Sequence, residues 1–294
     1  MTQAEEITLL GHRISAAPPV SAGPQPSAGE WLTDLRIDQT DPFFFDHPLD
    51  HVPGMLLVCA MADQARDHGA VPEYGRVKGS VNFRTMADLG PELLLRGEPA
   101  ENGRRNLRIT QQSTLLADGW FEVSPEAGWP LSAGEPRSEP AEAELVHRAR
   151  SENIMLGDPA VTEEQVTAAV LVPPDGHALC GRRADRRSVR AVVEAGRQFS
   201  VWLTHRLGGW PLDTQILWLR VTADLPFGLP SSAPVALRWQ VTGISGTRAR
   251  LRFDLIAGDG AAEGGGRKVG SLVYMSMGLQ RDEYQSLQAG RCAE

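Results

Sequence analysis

Cysteine is scarce in this sequence, and its scarcity excludes two architectures. Cys59, Cys180 and Cys292 are the only three among 294 residues. An odd number without Cys-x-x-Cys spacing argues against a disulfide framework and a zinc ribbon, and fits a reducing compartment. Excess positive charge is lacking too: 29 Lys and Arg face 37 Asp and Glu, for a formal net charge of −8. Such a balance carries no electrostatic footprint for nucleic acid. No run approaches the ~18–20 apolar residues that span a bilayer. The first residues show no basic stretch followed by an apolar core and a small-residue cleavage site, so no secretory signal is expected. What remains is an ordinary globular balance, 41% hydrophobic and 22% charged. We therefore expect a soluble cytoplasmic protein of one large or two ordinary domains, with no nucleic-acid or membrane partner.

Internal similarity comes next. His12-Arg13 recurs as His147-Arg148, an offset of 135, and Asp50 and Cys59 fall at the same offset from Asp185 and Glu194. "FRTMADL" (83–89) resembles "LRVTADL" (219–225), and "LRI" (107–109) resembles "LRF" (251–253). Several matches in order at a nearly constant offset indicate a duplication. Between the halves, "SPEAGWPLSAGEPRSEPAEAE" (124–144) is rich in Pro, Gly, Ser and Glu and reads as a linker. The expected organisation is a flexible segment over 1–30, a first unit over 31–124, a linker over 125–144, a second unit over 145–280 and a tail over 281–294.

Both halves show the same coarse order. The first has a short strand around 31–38, an apolar helix over about 50–69, and extended segments near 74–88, 91–97, 104–117 and 119–124. The second has a strand near 165–172, a helix over about 185–207, and extended segments near 214–224, 234–244, 247–257 and 267–277. Asp50 and Asp185 suit helix N-caps, whose side chains accept from the first free backbone N–H groups. β-branched and apolar residues between Gly and Pro punctuation predict antiparallel meanders. One long helix followed by several strands predicts, twice over, a sheet wrapped around a helix: a tandem α+β protein.

One stretch is more specific. "VPGMLLVCAMADQ" (52–64) resembles the Pro-Gly-(Val/Met)-Leu-x-x-Glu-Ala-Met-Ala-Gln signature of hotdog-fold β-hydroxyacyl carrier-protein dehydratases. The wider context, "DHPLDHVPGM" with "VVEAGRQF" (192–199) one repeat later, is closest in pattern to the A-factor synthase (AfsA) family, whose members contain two hotdog repeats. That resemblance implies a tandem hotdog fold, with acyl thioesters bound between units and helix N-termini facing the acyl carbonyl. It also implies an acyltransferase that moves a β-ketoacyl group from an acyl carrier protein to a hydroxyl of dihydroxyacetone phosphate, on the way to butyrolactone, butenolide or furan signalling molecules. No cofactor is implied. Pairing of units within one chain leaves monomer and homodimer both open.

Acyl transfer from sulfur to an alcohol needs a general base, donors for an oxyanion and, for a phosphorylated acceptor, cations or helix N-termini. Glu194 occupies the position of the dehydratases' catalytic acid and is the first candidate for base. Arg197, three residues on, shares its helix face, and Gln198 lies beside it. A structural ion pair bracing a buried helix is the alternative for Glu194 and Arg197. The first repeat carries Cys59 and Ala62 at these positions. Cys59, on an apolar face with no nearby cation in sequence, reads as a buried small hydrophobe. One competent site is therefore expected, in which His47, Asp50, His51 and the Gly54 amide meet Glu194 and Arg197; the reverse combination, His177 with Cys59, lacks the carboxylate. Pro48 and Pro53 argue against a helical His-x-x-x-His metal face, so no metal is expected; surface-loop histidines beside an N-capping Asp50 are the plain alternative. "GRRADRRSVR" (181–190) holds five arginines. It is either a solvated turn or, through Arg186 and Arg190, a site for a phosphate or an acidic carrier. "GDGAAEGGGR" (258–267) lacks the ending of a phosphate loop and reads as a hairpin tip. Besides acyl transfer, a dehydratase- or thioesterase-like enzyme and a non-catalytic acyl-binding protein stay open.

Overall fold

The computed structural model describes residues 7–9, 12–14, 29–67, 73–129, 134, 138–181, 183–263 and 265–291. In chain order the elements are β1 (Ile7–Leu9), β2 (His12–Ile14), β3 (Trp31–Leu35), α1 (Gly54–Asp67), β4 (Gly75–Phe83), β5 (Leu93–Pro99), β6 (Arg104–Gln111) and β7 (Thr114–Pro125). Then follow β8 (Ala160–Val161), β9 (Gln165–Ala169), α2 (Val189–Arg206), β10 (Gln215–Phe227), β11 (Val235–Gln240), β12 (Arg248–Ala257), β13 (Arg267–Leu279) and α3 (Arg281–Arg291). β1 and β2 pair with each other, within the segment expected to be flexible.

The remaining strands form one antiparallel sheet in the order β3-β5-β6-β7-β4-β10-β13-β12-β11-β9-β8. Read outward from its centre, the sheet repeats itself: β4, β7, β6, β5, β3 on one side correspond to β10, β13, β12, β11, β9 on the other. The halves join where β4 pairs with β10, Val81 opposite Val221 and Gly79 opposite Ala223. α1 packs on β5, β6 and β7, and α2 on β10, β12 and β13. This is the double hotdog, a helix held in the curl of each half-sheet. One apolar core runs through both halves, from Leu56, Met61, Leu95 and Leu107 to Phe199, Phe253 and Tyr274. Gly196 lets α2 sit close to the sheet, since a Cβ there would lie 2.8 Å from both Leu272 and Tyr274. The Tyr274 hydroxyl donates to the Val193 carbonyl at 2.5 Å and fixes that contact.

Several expectations need correction. Neither helix is capped by aspartate. α1 starts at Gly54, because Pro53 suits a helix entrance and disfavours helical backbone at the residue before it. The Asp50 carboxylate instead accepts from Tyr284 and Gln288. α2 starts at Val189 after Ser188, and Asp185 is an exposed partner of Arg183. The break expected near 118 lies at Gln112 and Ser113, whose φ values of 49° and 72° fit the left-handed turn of a tight hairpin. The match of 83–89 with 219–225 is not structural, because the first leaves β4 and the second lies inside β10. The "LRI" and "LRF" match does fall on corresponding strands, β6 and β12. His12-Arg13 is in β2, whereas His147-Arg148 follows a single helical turn over Glu144–Val146. The stretch expected as linker is described only in part; within it Pro140 bridges Gly157 and Ala141 is buried. The segment expected as a tail contains α3, whose Tyr284 is buried. Cys292 and Arg182 lie outside the described residues.

Candidate active site

Between the halves lies a cavity of about 1230 Å³. Its walls come from the 44–57 segment that ends in the first turn of α1, the 83–87 loop after β4, Ala143–Ala149, the 212–219 approach to β10, and α2 through Arg197 and Val201. Leu287 of α3 adds an apolar contact. One part of the wall is apolar, with Met55, Leu57, Leu217, Trp218 and Met277; another is polar, with His47, Asp50, His51, His147, Arg148 and Arg197. A Cβ on Gly54 would lie 3.2 Å from Trp218 and 3.3 Å from Phe83, so glycine allows the helix start to settle onto that aromatic pair.

Behind the polar wall sits Glu194, with no solvent exposure. Its Oε1 accepts from Arg148 Nη2 at 2.7 Å, Arg197 Nη2 at 2.8 Å and Gln198 Nε2 at 2.7 Å, and Oε2 accepts from Arg197 Nε at 3.0 Å. Burial alone would raise the carboxyl, but the Arg148 and Arg197 charges outweigh it and hold Glu194 below the usual range. A carboxylate so enclosed is a poor proton acceptor. Glu194 does not line the cavity, and its carboxylate is taken up by two guanidiniums and the Gln198 amide. Arg197 also gives Nη2 to the Val146 carbonyl, while its Nη1 has no protein partner among the described residues. Arg148 ties the halves together: Nη1 donates to the Phe43 carbonyl at 2.7 Å, and the guanidinium lies 4.4 Å over the Phe43 ring.

Facing this cluster is Asp46, whose carboxylate is fully buried. It accepts from the Ala149 N–H and Asn153 Nδ2, and Arg148 Nη1 lies 3.4 Å away. Burial opposes its ionisation, yet the His47 hydrogen bond, the Arg148 charge and Asn153 hold it at about 2. His47 Nδ1 stands 2.6 Å from Asp46 Oδ1. An ionised partner there requires the proton on Nδ1 and leaves Nε2 of the neutral ring as an acceptor. His47 is 42% exposed and lines the cavity.

A second pair follows the first. His51 Nδ1 lies 2.8 Å from Asp50 Oδ1, and Tyr284 and Gln288 of α3 donate to the same carboxylate at 2.7 Å each. Burial opposes ionisation of Asp50, but these hydrogen bonds hold it at about 2. Deeper in, His147 Nε2 meets His205 Nε2 at 2.8 Å, and His205 Nδ1 donates to the Trp210 carbonyl at 2.9 Å. Burial first, then His205 and Arg197, push His147 down to about 3, so it is neutral.

The corresponding place in the other arrangement is closed. A pocket of only about 50 Å³ lies beside Cys59, lined by Met55, Val58, Phe121, Val193 and Arg190 among others. Burial pushes the Cys59 thiol up to about 12, which leaves it un-ionised and inert. Arg190 is not at the cavity: it pairs with buried Asp63 of α1. The other described arginines of the 181–190 run are also committed. Arg186 stacks on Tyr74 and bonds its hydroxyl, Arg183 pairs with Asp185 and Glu73, and buried Arg187 holds the carbonyls of Val170, Ser231 and Ala233. His177 bonds Asn153 rather than facing Cys59.

Of the residues expected at the site, the structure brings His47, Asp50, His51, Gly54 and Arg197 to one cavity. Glu194 stands behind its wall, and Gln198 is buried, fixing Met155 and Leu156 N–H groups. Arg186 and Arg190 lie elsewhere. Sequence reasoning missed Asp46, Arg148 and His147 as site residues. Their only signal was the His-Arg pair noticed as a repeat, and Asp46 directly before His47.

The family model of the A-factor biosynthesis hotdog domain matches residues 12–66 and 131–260. The chain belongs to that family. A curated relative, the 2-oxo-3-(phosphooxy)propyl 3-oxoalkanoate synthase of Streptomyces virginiae, is 34% identical over 84 residues, 28% of each chain. The match thus spans little more than a quarter of that relative's length. Among solved structures, the dehydratase domain of the CurF module of curacin polyketide synthase superposes with a TM-score of 0.58 at 13% identity, over 88% of this chain and 97% of the other. The PpsC dehydratase domain of Mycobacterium tuberculosis, in complex with C12:1-CoA, gives 0.55 at 16% identity over 87% and 96%. These two likenesses show the fold alone, a pair of hotdog units. No helix among the described residues is long and apolar enough to cross a membrane.

Proposed function

We propose that this member of the A-factor biosynthesis family is an acyltransferase. It moves a 3-oxoacyl group from a carrier-protein thioester to the hydroxyl of dihydroxyacetone phosphate or a similar small phosphorylated alcohol. The product serves biosynthesis of a butyrolactone, butenolide or furan type of signal. The reading rests on one observation above all: a large cavity joins an apolar wall to a histidine–aspartate pair and a guanidinium nitrogen without a partner among the described residues. The relative's name, that of a synthase making an ester of a phosphooxy ketone with a 3-oxoalkanoate, supplies the substrate class.

In this mechanism His47 Nε2 takes the alcohol proton as the oxygen attacks the thioester carbonyl, with Asp46 fixing the ring and stabilising the imidazolium that forms. Arg197 Nη1 donates to the oxyanion of the tetrahedral intermediate. The carbon–sulfur bond then breaks, His47 returns the proton to the departing thiolate, and ester and carrier thiol leave. The N-terminus of α1 gives positive potential for the phosphate, with Arg84, paired to Asp118, on the rim. Dehydration would need a second acid at the leaving hydroxyl, and ionised, enclosed Glu194 is ill suited to that role.

The test is mass spectrometry of products from a 3-oxoacyl carrier thioester, with and without dihydroxyacetone phosphate. An acceptor-dependent ester is the expected product. Free acid or an enoyl thioester, formed equally without acceptor, would replace transfer by hydrolysis or dehydration.

A further inference from the structure

The register of the sheet aligns an arginine row that the site does not use. Arg96 on β5 stands opposite Arg108 on β6, and Arg108 opposite Asp118 on β7. The row continues through Asn82 on β4 to Arg220 on β10. It then crosses Met275 on β13 and ends at Arg250 on β12. Residues directly opposite one another share a face. Their strand neighbours Leu95, Leu107, Ala117, Val81, Val221 and Leu251 are buried, so this is the outer face. Seven strands at roughly 4.8 Å spacing give a band about 29 Å long across both halves.

The row differs in charge from its surroundings. Elsewhere on this face, two cations hold carboxylates: Lys268 lies 2.5 Å from Asp254, and Arg76 2.6 Å from Asp224. In the row, Asp118 is the sole carboxylate, and Arg84 occupies it. Arg220 bonds the neutral Asn82. Arg96 and Arg250 have no carboxylate partner among the described residues, nor do Arg248 and Arg252 flanking Arg250, while Arg108 faces Asp118 and shares it with Arg84. A protein of net charge −8 thus concentrates uncompensated cations in one band.

The band also borders the cavity. Arg84 lines it, Arg220 directly follows the lining residue Leu219, and Arg248 stands opposite the lining residue Met277. We propose that this band docks an acidic carrier domain bearing the acyl thioester, so that its prosthetic arm enters the cavity beside Arg84 and Leu219. The proposal rests on the reading above that the donor is carrier-bound. Adjacency to an acyl cavity favours an acidic carrier over nucleic acid as occupant.

The test compares one acyl group on two donors. Arg108→Glu/Arg250→Glu should raise KM for the carrier-bound thioester by about tenfold or more, and move KM for the pantetheine thioester by less than about twofold. Added salt should reproduce this contrast in the unaltered protein, where no folding defect can interfere. Equal KM for variant and parent on the carrier-bound donor would overturn the docking surface while leaving acyl transfer intact. If neither donor is turned over, the functional reading fails instead. The surface is then judged by fluorescence anisotropy with labelled acyl carrier protein and a labelled single-stranded oligonucleotide. Carrier binding lost in the double variant upholds the proposal; binding of the oligonucleotide alone overturns it.

Discussion

Arg148 Nη2 lies 2.7 Å from Glu194 Oε1 in the second half, while Nη1 of the same side chain lies 2.7 Å from the Phe43 carbonyl in the first. One guanidinium therefore joins the two repeats at the edge of the cavity. The carboxylate it holds also fixes Arg197, whose Nη1 has no partner among the described residues. In the mechanism proposed above, Glu194 is a positioning residue.

Glu194→Gln should accordingly impair both stability and activity. Removing the charge leaves Arg197 without its ion-pair partner and Arg148 with Asp46 alone, 3.4 Å away, at a cost of about 3–5 kcal/mol. Urea denaturation should show this loss at neutral pH. Because the folded pKa lies below the ordinary value of 4.5, the carboxylate's contribution is complete above that value and fades as pH falls through the depressed one. Parent and variant should therefore converge in stability in acid. A variant of parental stability at pH 7 would contradict the anchoring role.

His47→Asn and Asp46→Asn probe the proposed base and its orienting partner. Each should lower kcat by about 10²–10⁴-fold. His47 is half-exposed, so its loss should leave thermal stability nearly unchanged, whereas buried Asp46 also holds Asn153 and the Ala149 N–H and should cost stability. Wild-type turnover by His47→Asn would remove histidine from the mechanism.

Cys59→Glu restores a carboxylate at the position corresponding to Glu194, yet no second active site should result. The surrounding pocket holds about 50 Å³ and is mostly apolar, and Arg190 is already paired with Asp63. Burying a further charge there should destabilise by about 3 kcal/mol or more. A stable variant with doubled active-site stoichiometry would contradict the closure of that site.

His147 should govern stability in mild acid. Its folded pKa of about 3 lies below the ordinary 6.5, so between those values the unfolded chain binds a proton that the native protein does not. Stability is then complete above pH 6.5 and falls by about 1.4 kcal/mol per pH unit below it. His177, lowered by burial and by Arg148, acts in the same sense. Denaturation series from pH 7 to 5 should show a shallower slope for His147→Gln than for the parent. Identical slopes would mean that His147 is solvated or charged in the native state.

The fold was legible in the sequence because each repeat carries its own punctuation. The apolar run after Pro53, the Gly- and Pro-bounded strands and the "LRI"/"LRF" echo all mark local structure that tertiary contacts do not override. The hairpin at Gln112 and Ser113 was not legible, since neither residue is a usual left-handed turn former. At the site, residues contiguous in sequence were found, as His47, His51 and Gly54 show. Roles set by distant partners were not. Nothing within the helix reveals that Arg148, 46 residues away, neutralises Glu194. Nothing in "GRRADRRSVR" shows that Tyr74, Asp63 and backbone carbonyls claim its arginines. An arginine run in sequence is therefore a weaker sign of a binding surface than Arg96, Arg108, Arg220 and Arg250, which only strand register brings together.

The central claim is a single acyl site built from both halves. The most direct measurement is a crystal structure with a non-hydrolysable 3-oxoacyl thioester analogue. The account predicts one acyl chain per polypeptide, lying against Met55, Leu217 and Trp218, with its carbonyl oxygen at Arg197 Nη1 and its reactive carbon within reach of a hydroxyl held by His47. A chain seated beside Cys59, or one in each half, would contradict it.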